Sequence, residues 1–377
     1  MAYDGGSSVR RRRRSGNSFS IPGLFTSGAL GLWYDHGTIS TLFQDAAGTT
    51  AVAAAGDATG LDLDRSQGLV LGSELISNPG PFSVITGITL VSSSASFSGG
   101  VMTLTGGRAE WSLSGLTVGK SYKAVIRARQ VNGVAQRIQA WTWATVPTTA
   151  LTNTFADYSF ILRATSTSGL LRIYADALAD PTSSVDVSSV SVKELSGSHA
   201  VLSGANTLRP LYQITPARLV FDASDDRLLT ALNPTTSGTI AARIKGGTAS
   251  RVALGSQGAS NGRAFLALAA DGSLGAGIGA DSTSTIKGSA DIRAAWATGV
   301  VTWDGSTVKL YQDGAQVYSG AQNGAVNTTV PWMLGCLNNN ATAASFWDGS
   351  IGAALVLDRA MTASEVSSLT STWSTIQ

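Results

Sequence analysis

The fold of this chain is decided by Trp303-Asp304-Gly305-Ser306-Thr307-Val308-Lys309-Leu310-Tyr311-Gln312-Asp313-Gly314, which places a short strand pattern between two Asp-Gly pairs. A third pair, Asp271-Gly272, lies upstream. Asp-Gly between apolar strand patterns is the strongest short-range signal of a β-hairpin, because these residues tolerate the positive φ that a two-residue turn needs. The stretch therefore predicts successive antiparallel hairpins.

The composition of all 377 residues extends this prediction to the rest of the chain. Gly contributes 43 residues and charged residues only 13%, while the helix-favouring Lys and Glu number 6 and 4. Gly, Ser, Thr and Asp instead favour turns and strand edges. One helix is predicted, over 362–373, because Thr362 and Glu365 have the spacing of a capping box. The predicted fold class is all-β, with two antiparallel β-sandwiches and an extended N-terminal arm.

The N-terminal arm, residues 1–20, holds five consecutive arginines and one acidic residue, Asp4, whereas residues 21–377 hold 21 basic and 23 acidic side chains. Because it lacks hydrophobic periodicity, the arm is expected to be disordered alone in water. It is interpreted as a flexible tail, as a basic arm that orders against a partner subunit or, with the least support, as a nucleic-acid contact. The residues of this assembly arm are Arg10, Arg11, Arg12, Arg13 and Arg14.

Several protein classes are disfavoured by what the sequence lacks. A single cysteine, Cys336, rules out an intrachain disulfide and CxxC zinc motifs, and it is interpreted as a buried small hydrophobe. No apolar run reaches the length of a membrane span, so no membrane insertion is expected. Ser15-Gly16-Asn17 follows the arginines where a secretory signal peptide has an apolar stretch, so we expect synthesis in a cytoplasm and no signal peptide.

Residues 72–195 alternate apolar and polar residues in short runs that are separated by glycine turns. This pattern is typical of a β-sandwich or jelly roll. The candidate strands cover 83–91, 100–105, 108–112, 121–130, 136–144, 154–164, 170–175 and 185–193. Within this region Asn78-Pro79-Gly80, residues 116–122 and residues 187–195 resemble a galactose-binding-like jelly roll, the frame of many carbohydrate-binding modules. The resemblance implies a sugar-binding module.

Residues 196–377 combine the hairpins of 303–314 with Phe346-Trp347-Asp348-Gly349 and the helix start Thr362-Ala363-Ser364-Glu365. Together these features resemble concanavalin A-like and laminin-G-like sandwiches. The resemblance implies a second sandwich whose core contains Trp303, Trp332 and Trp347.

Leu32-Trp33-Tyr34-Asp35 and residues 42–50 resemble a segment common in phage tail and virion proteins. In that family the segment leads directly to motifs that are here matched by Gly197-Ser198-His199-Ala200 and by residues 209–226, more than 120 residues later. The resemblance implies that the jelly roll is inserted into one module. Residues 21–71 are then a virion-anchoring or module-start segment, which would pack on the C-terminal sandwich.

The sequence lacks the residue patterns of glycosidase and Ser-His-Asp hydrolase active sites. A glycosidase needs two carboxylates, typically as Glu-x-Asp-x-x-Glu in concanavalin A-like enzymes, and the four glutamates stand isolated. His36 and His199 accompany no Gly-x-Ser-x-Gly elbow and are interpreted as surface or capping residues. We therefore expect no enzyme and no cofactor.

Two pairs of aspartates are candidates for metal ligands or for acids. Asp62 and Asp64 alternate with apolar residues and are interpreted as a solvated strand face. Asp225 and Asp226 match a turn of the virion family and are interpreted as structural, so no metal is expected.

Binding remains as the function class. Sugars lay their apolar faces on aromatic rings while polar side chains bond the hydroxyls. Trp141 and Trp143 share one face of a predicted strand with Arg137 and Gln139, because side chains alternate with a period of two. The alternative is that this face points to the core. The candidate carbohydrate-binding residues are Trp141, Trp143, Arg137, Gln139 and Tyr158.

The resemblances imply a structural protein of a tailed phage or a phage-like particle, such as a gene transfer agent. It would be a fibre, spike or tail-tip component that attaches the particle to host surface polysaccharide. The expected partners are other virion proteins, further copies of itself (a trimer being the commonest state of such fibres) and the polysaccharide; nucleic acid is not expected. The alternative is a purely structural virion protein whose sandwiches bind neighbouring subunits without sugar affinity.

Overall fold

The computed structural model describes residues 19–132, 136–141, 148–175, 182–202, 206–247, 250–260 and 262–376. These ranges contain thirty strands, three short 3₁₀ helices and one α-helix. The predicted all-β class with antiparallel sandwiches is confirmed. The arginines of the assembly arm and Trp143 lie outside the described residues.

The N-terminal segment before the jelly roll contributes three strands and two 3₁₀ helices. The strands are β1 (Gly31–Asp35), β2 (Leu42–Phe43) and β3 (Leu61–Asp62), and the 3₁₀ helices are Pro22–Gly28 and Ile39–Thr41.

The jelly roll consists of two antiparallel sheets that enclose one core. Its strands are β4 (Leu71–Glu74), β5 (Thr89–Val91), β6 (Ser94–Ser98), β7 (Val101–Thr105), β8 (Arg108–Ser114), β9 (Ser121–Asn132), β10 (Arg137–Trp141), β11 (Thr148–Ala150), β12 (Ala156–Arg163), β13 (Ser168–Tyr174) and β14 (Ser184–Leu195). The five-stranded sheet has the order β11-β10-β13-β8-β5. The six-stranded sheet has the order β12-β9-β14-β7-β6, with β4 also beside β14. Trp111, Ile126 and Phe160 lie in the core between them.

The C-terminal sandwich contains a short 3₁₀ helix, Asn206–Leu208, near its start. Its strands are β15 (Ala200–Val201), β16 (Leu211–Ile214), β17 (Ala217–Asp222), β18 (Leu228–Leu229), β19 (Gly238–Gly246), β20 (Val252–Gln257), β21 (Arg263–Leu268), β22 (Ser273–Gly279), β23 (Ile286–Asp291), β24 (Ala297–Trp303), β25 (Thr307–Gln312), β26 (Ala315–Ala321), β27 (Met333–Leu334), β28 (Leu337–Asn339), β29 (Thr342–Ala344) and β30 (Asp348–Leu357), followed by α1 (Ala363–Trp373). An eight-stranded sheet is built around β30, β19 and β24, and an eleven-stranded sheet around β20, β21 and β22. Their shared core includes Trp303, Trp332 and Trp347, as predicted.

The N-terminal strand β1 belongs to this C-terminal sandwich. It pairs antiparallel with β30, from Gly31 opposite Leu357 to Asp35 opposite Ala353. Leu32 and Tyr34 are fully buried in the core between the sheets. Trp33 points the other way and packs in the cluster that includes α1. Both faces of β1 are covered, which explains why its sequence is apolar almost throughout.

The three Asp-Gly pairs form the predicted turns. They connect β21 with β22, β24 with β25 and β25 with β26. Asp313 and Gly314 have φ angles of 49° and 82°, the left-handed values that a type I′ turn requires at both positions. The capping box is also confirmed, because the Thr362 side chain accepts from the Glu365 amide and the Glu365 carboxylate accepts from the Thr362 amide.

The predicted strand over 83–91 is largely wrong, because only Thr89–Val91 is a strand. The preceding residues form a loop that is held by Asn78, whose Nδ2 donates to the carbonyls of Val84 at 3.1 Å and Thr86 at 3.0 Å. Side-chain amides compete with a strand ladder in this way. The structure adds β6, a serine-rich strand that apolar alternation did not reveal.

The jelly roll and the C-terminal sandwich are in direct contact. Ile161 of β12 packs in one cluster with Leu61, Leu63 and Val201, and its amide donates to the Ala47 carbonyl at 2.7 Å. Among the residues described, no helix is both long and apolar enough to cross a membrane.

Replacing Leu32 with Ala tests the role of β1. Leu32 is fully buried, so its truncation should lower the free energy of unfolding by about 2–5 kcal/mol. The measurement is urea unfolding followed by tryptophan fluorescence. Leu30→Ala is the control, because Leu30 is 57% exposed and should change stability by less than about 0.5 kcal/mol. Equal stability of both variants would show that β1 is not part of the core.

Candidate functional site

One face of the five-stranded jelly-roll sheet combines an aromatic ring with charged side chains. On β8, Ala109, Trp111 and Leu113 are buried in the core. The residues between them point outward, since side chains alternate along a strand. The same holds on β13, where Leu171 and Ile173 face the core. We call the opposite side of this sheet the outer face; it is lined by Arg108, Glu110, Arg137, Gln139, Arg172 and Tyr174.

The strand register arranges the outer face in two rows. In the first row Tyr174 on β13 lies between Arg137 on β10 and Arg108 on β8. In the second row Arg172 lies between Gln139 on β10 and Glu110 on β8. Directly opposed residues in neighbouring strands lie within contact distance, so the two rows form one continuous patch.

The charges of the outer face are held by specific contacts. Glu110 accepts from Arg108 Nε at 2.6 Å and pairs with Arg172 Nε at 2.7 Å. The guanidinium of Arg137 lies 4.5 Å from the centroid of the Tyr174 ring, and that of Arg108 lies 5.8 Å from it. Both distances are within the range of cation–π attraction. The contacts orient the arginines around one ring and one carboxylate.

Such a patch has the chemistry that recognises a sugar. Tyr174 is half-buried and supplies a flat apolar surface with few rotatable bonds. The arginines supply several N–H donors in fixed directions, and the carboxylate and the Gln139 amide supply acceptors for hydroxyl groups. The arrangement can bind and orient a polar ring-shaped ligand.

The structure places the predicted carbohydrate-binding residues differently. Arg137 and Gln139 share the outer face, and Trp141 ends β10 opposite Leu170. Tyr158 lies on β12 of the other sheet, where its ring packs against the jelly-roll core and its hydroxyl accepts from the Thr152 amide at 2.8 Å. Tyr158 is therefore not brought to the outer face.

Four outer-face residues were missed by the sequence analysis. They are Arg108, Glu110, Arg172 and Tyr174. Each lies on a predicted strand, and period-two alternation places each on one side of that strand. Sequence patterns do not reveal the order of strands in the sheet. In the structure β13 lies between β8 and β10, and this order brings the four residues together with Arg137 and Gln139.

The interpretation of His36 as a surface residue is wrong, since its side chain is fully buried. Its Nδ1 donates to the Ile351 carbonyl at 2.7 Å, and its Nε2 lies 2.9 Å from Asp62 Oδ2. Burial by itself lowers the pKa of His36, but the charge and hydrogen bond of Asp62 and the Ile351 carbonyl raise this pKa above the ordinary value. Asp62 is likewise fully buried, which corrects its interpretation as a solvated residue.

Asp64 and His199 form a second buried contact between distant parts of the chain. Asp64 is fully buried and His199 is 2% exposed, so the interpretation of Asp64 as solvated is wrong, and of the two alternatives for His199, surface or capping, the surface one is wrong. The Asp64 amide donates to His199 Nδ1 at 2.9 Å. The Asp64 carboxylate accepts from the amides of Trp33 at 2.8 Å and Ser198 at 2.6 Å. The Asp64 carboxylate and His199 Nδ1 thus bond groups of the protein itself, and the contact joins distant segments of the fold.

Asp222, Asp225 and Asp226 are a group of carboxylates in the described residues whose oxygens lie within 4.8 Å of one another, close enough to share a cation. The turn itself accounts for much of this proximity, since Asp226 Oδ2 accepts from the Asp222 amide at 3.0 Å. Burial and the neighbouring aspartates raise the pKa of Asp226 to about 7.

Comparisons with known proteins bear on the C-terminal half. Residues 222–367 match the model of the concanavalin A-like lectin/glucanases superfamily, so this half contains a concanavalin A-like domain. A comparison with curated proteins finds no significant match.

The comparison with solved structures finds matches to parts of this chain. The CBM40 of Ruminococcus gnavus IT-sialidase, bound to α2,3 sialyllactose, has 21% identity and a TM-score of 0.31 over 36% of this chain and 83% of that one. Domain 4 of the arabinanase AbnA from Geobacillus stearothermophilus, in complex with arabinotriose, has 16% identity and a TM-score of 0.35 over 45% and 82%. An SAP-like pentraxin from Limulus polyphemus has 18% identity and a TM-score of 0.34 over 41% and 82%.

The burial of His199 predicts that the free energy of unfolding falls as the pH is lowered. Burial lowers the pKa of His199 to about 4, below the ordinary value of the unfolded chain. The unfolded state therefore takes up a proton first as the pH falls, and roughly 3 kcal/mol of stability is lost between pH 6.5 and 4. In His199→Asn the amide oxygen keeps an acceptor for Asp64 without titrating.

The test is the free energy of unfolding of wild type and His199→Asn, measured by urea titration between pH 7 and 4. The difference between the two proteins should shrink or reverse toward pH 4. Curves that run parallel over this range would show that His199 is not held in its neutral form.

Proposed function

We propose that this protein binds polysaccharide through the outer face of its jelly roll and attaches a phage or phage-like particle to a host surface. The observation that carries the binding proposal is Tyr174, flanked by the guanidinium groups of Arg108 and Arg137 in one cross-strand row. The match of residues 222–367 to a superfamily that includes lectins supports sugar recognition as the function class.

The proposal that the protein is part of a phage or phage-like particle rests on the sequence. The resemblance of residues 32–35 and 42–50 to virion proteins supports it, as does the basic arm. In this proposal the protein is a fibre, spike or tail-tip component, oligomeric in the particle. The arm and the N-terminal segment contact other virion proteins, and the jelly roll contacts the host polysaccharide.

A binding role without hydrolysis is supported by the partners of the four glutamates. A glycosidase needs one carboxyl group as acid and a second as nucleophile or base on either side of the scissile bond. Here each glutamate is engaged by a neighbouring side chain. The pairs are Glu74 with Ser191, Glu110 with Arg172, Glu194 with Lys120 and Glu365 with Arg359.

Tyr174→Ala tests the binding proposal. Saturable binding of the full chain to purified capsular polysaccharide or lipopolysaccharide should weaken about tenfold, or ~1.4 kcal/mol, because the stacking surface is lost. Tyr174→Phe keeps the ring and should bind within about twofold of wild type. The measurement is surface plasmon resonance, with thermal unfolding to verify that both variants fold.

Equal binding by wild type and Tyr174→Ala would place the site elsewhere. Absence of saturable binding by wild type across a panel of host polysaccharides would contradict sugar recognition and favour the purely structural role.

Replacing Arg10 to Arg14 with Ser tests the assembly arm. The five charges should contribute to docking on the particle, so the variant should keep the wild-type melting temperature but enter particles at a much lower copy number. The measurement is quantitative immunoblotting of purified particles. Wild-type copy number in the variant would contradict the role of the arm.

A further inference from the structure

We infer that the sugar bound at the outer face bears a carboxylate, which makes the ligand an acidic polysaccharide. This inference rests on the proposed function of that face and specifies its substrate class.

The first argument is the charge of the outer face. Three of its described side chains are arginines, Arg108, Arg137 and Arg172, and one is a carboxylate, Glu110. Glu110 pairs with both Arg108 and Arg172. Among the described residues Arg137 forms no ion pair, and its guanidinium lies over the Tyr174 ring. One carboxylate is thus shared by two arginines, and no carboxylate in the described part of the chain pairs with the third.

Two arginines of the other jelly-roll sheet each pair with an aspartate of their own, Arg127 with Asp157 at 3.0 Å and Arg129 with Asp186 at 2.7 Å. Residues 21–377 as a whole contain slightly more acidic than basic side chains. The positive charge of the outer face therefore does not reflect the charge of the protein as a whole.

The environment of Arg137 makes it suited to a carboxylate. A guanidinium presents parallel N–H donors that match the two oxygens of a carboxylate. The Tyr174 ring orients the group without neutralising its charge, because the ring offers only a quadrupole. A sugar that stacks on Tyr174 places its substituents beside the guanidiniums on both sides of the ring. A neutral sugar would leave the charge of Arg137 without a counter-charge in this contact.

The experiment compares polygalacturonate with the same polymer after its carboxyl groups have been reduced to primary alcohols. Binding of the full chain is measured by biolayer interferometry. We expect the acidic form to bind at least tenfold more tightly, with an affinity that falls as salt is raised. Arg137→Gln should reduce this preference to less than threefold.

Arg127→Gln is the matched control, because it removes the same charge from the opposite sheet of the same domain, where Arg127 is 49% exposed. It should retain the wild-type preference. An equal loss in Arg127→Gln would reveal nonspecific attraction and overturn the inference.

Two further outcomes separate the inference from the proposed function. Equal binding of both polymers, or binding of neutral polysaccharides alone, would overturn the acidic ligand while leaving sugar recognition intact. Absence of binding to these polymers and to every host polysaccharide tested would overturn both.

Discussion

The buried carboxylate of Asp64 is the interaction on which the arrangement of the chain depends. Burial of an unpaired carboxylate is costly, and here the cost is offset by donors from three segments: the amide of Trp33 on β1, the amide and hydroxyl of Ser66, and the amide of Ser198 beyond the jelly roll. Burial raises the pKa of Asp64, while these hydrogen bonds act against the rise. The carboxylate thereby fixes the N-terminal segment against the chain that follows the jelly roll.

These hydrogen bonds of Asp64 explain how the jelly roll can be inserted into the chain of the C-terminal sandwich. The jelly roll begins with β4 and ends with β14, and these strands pair with each other, Glu74 opposite Lys193 and Leu71 opposite Leu195. Insertion is tolerated where the ends of a domain lie close together. The C-terminal sandwich can therefore be completed by β1 although the whole jelly roll, from Leu71 to Leu195, intervenes in the chain. The outer face is carried by strands in the interior of the insert.

Sequence patterns predicted the features that depend on local chemistry. The Asp-Gly turns and the Thr362 capping box follow from backbone preference, whereas the burial of Trp303 was implied by the resemblance of residues 196–377 to concanavalin A-like sandwiches. The buried polar residues were missed, because a histidine or aspartate in a short polar stretch looks solvated until its distant partner is known. Tyr174 was missed as a site residue for a related reason, since its flanking arginines come from two other strands. In both cases the position of the side chain depends on pairing between segments that are distant in the chain, and local sequence preferences do not encode that pairing.

The most direct test is a crystal structure of the full chain with tri-galacturonate. The account predicts a sugar ring against Tyr174, with its carboxylate within hydrogen-bond distance of the Arg137 guanidinium. A trisaccharide bound instead on the C-terminal sandwich, with the outer face of the jelly roll unoccupied, would contradict it.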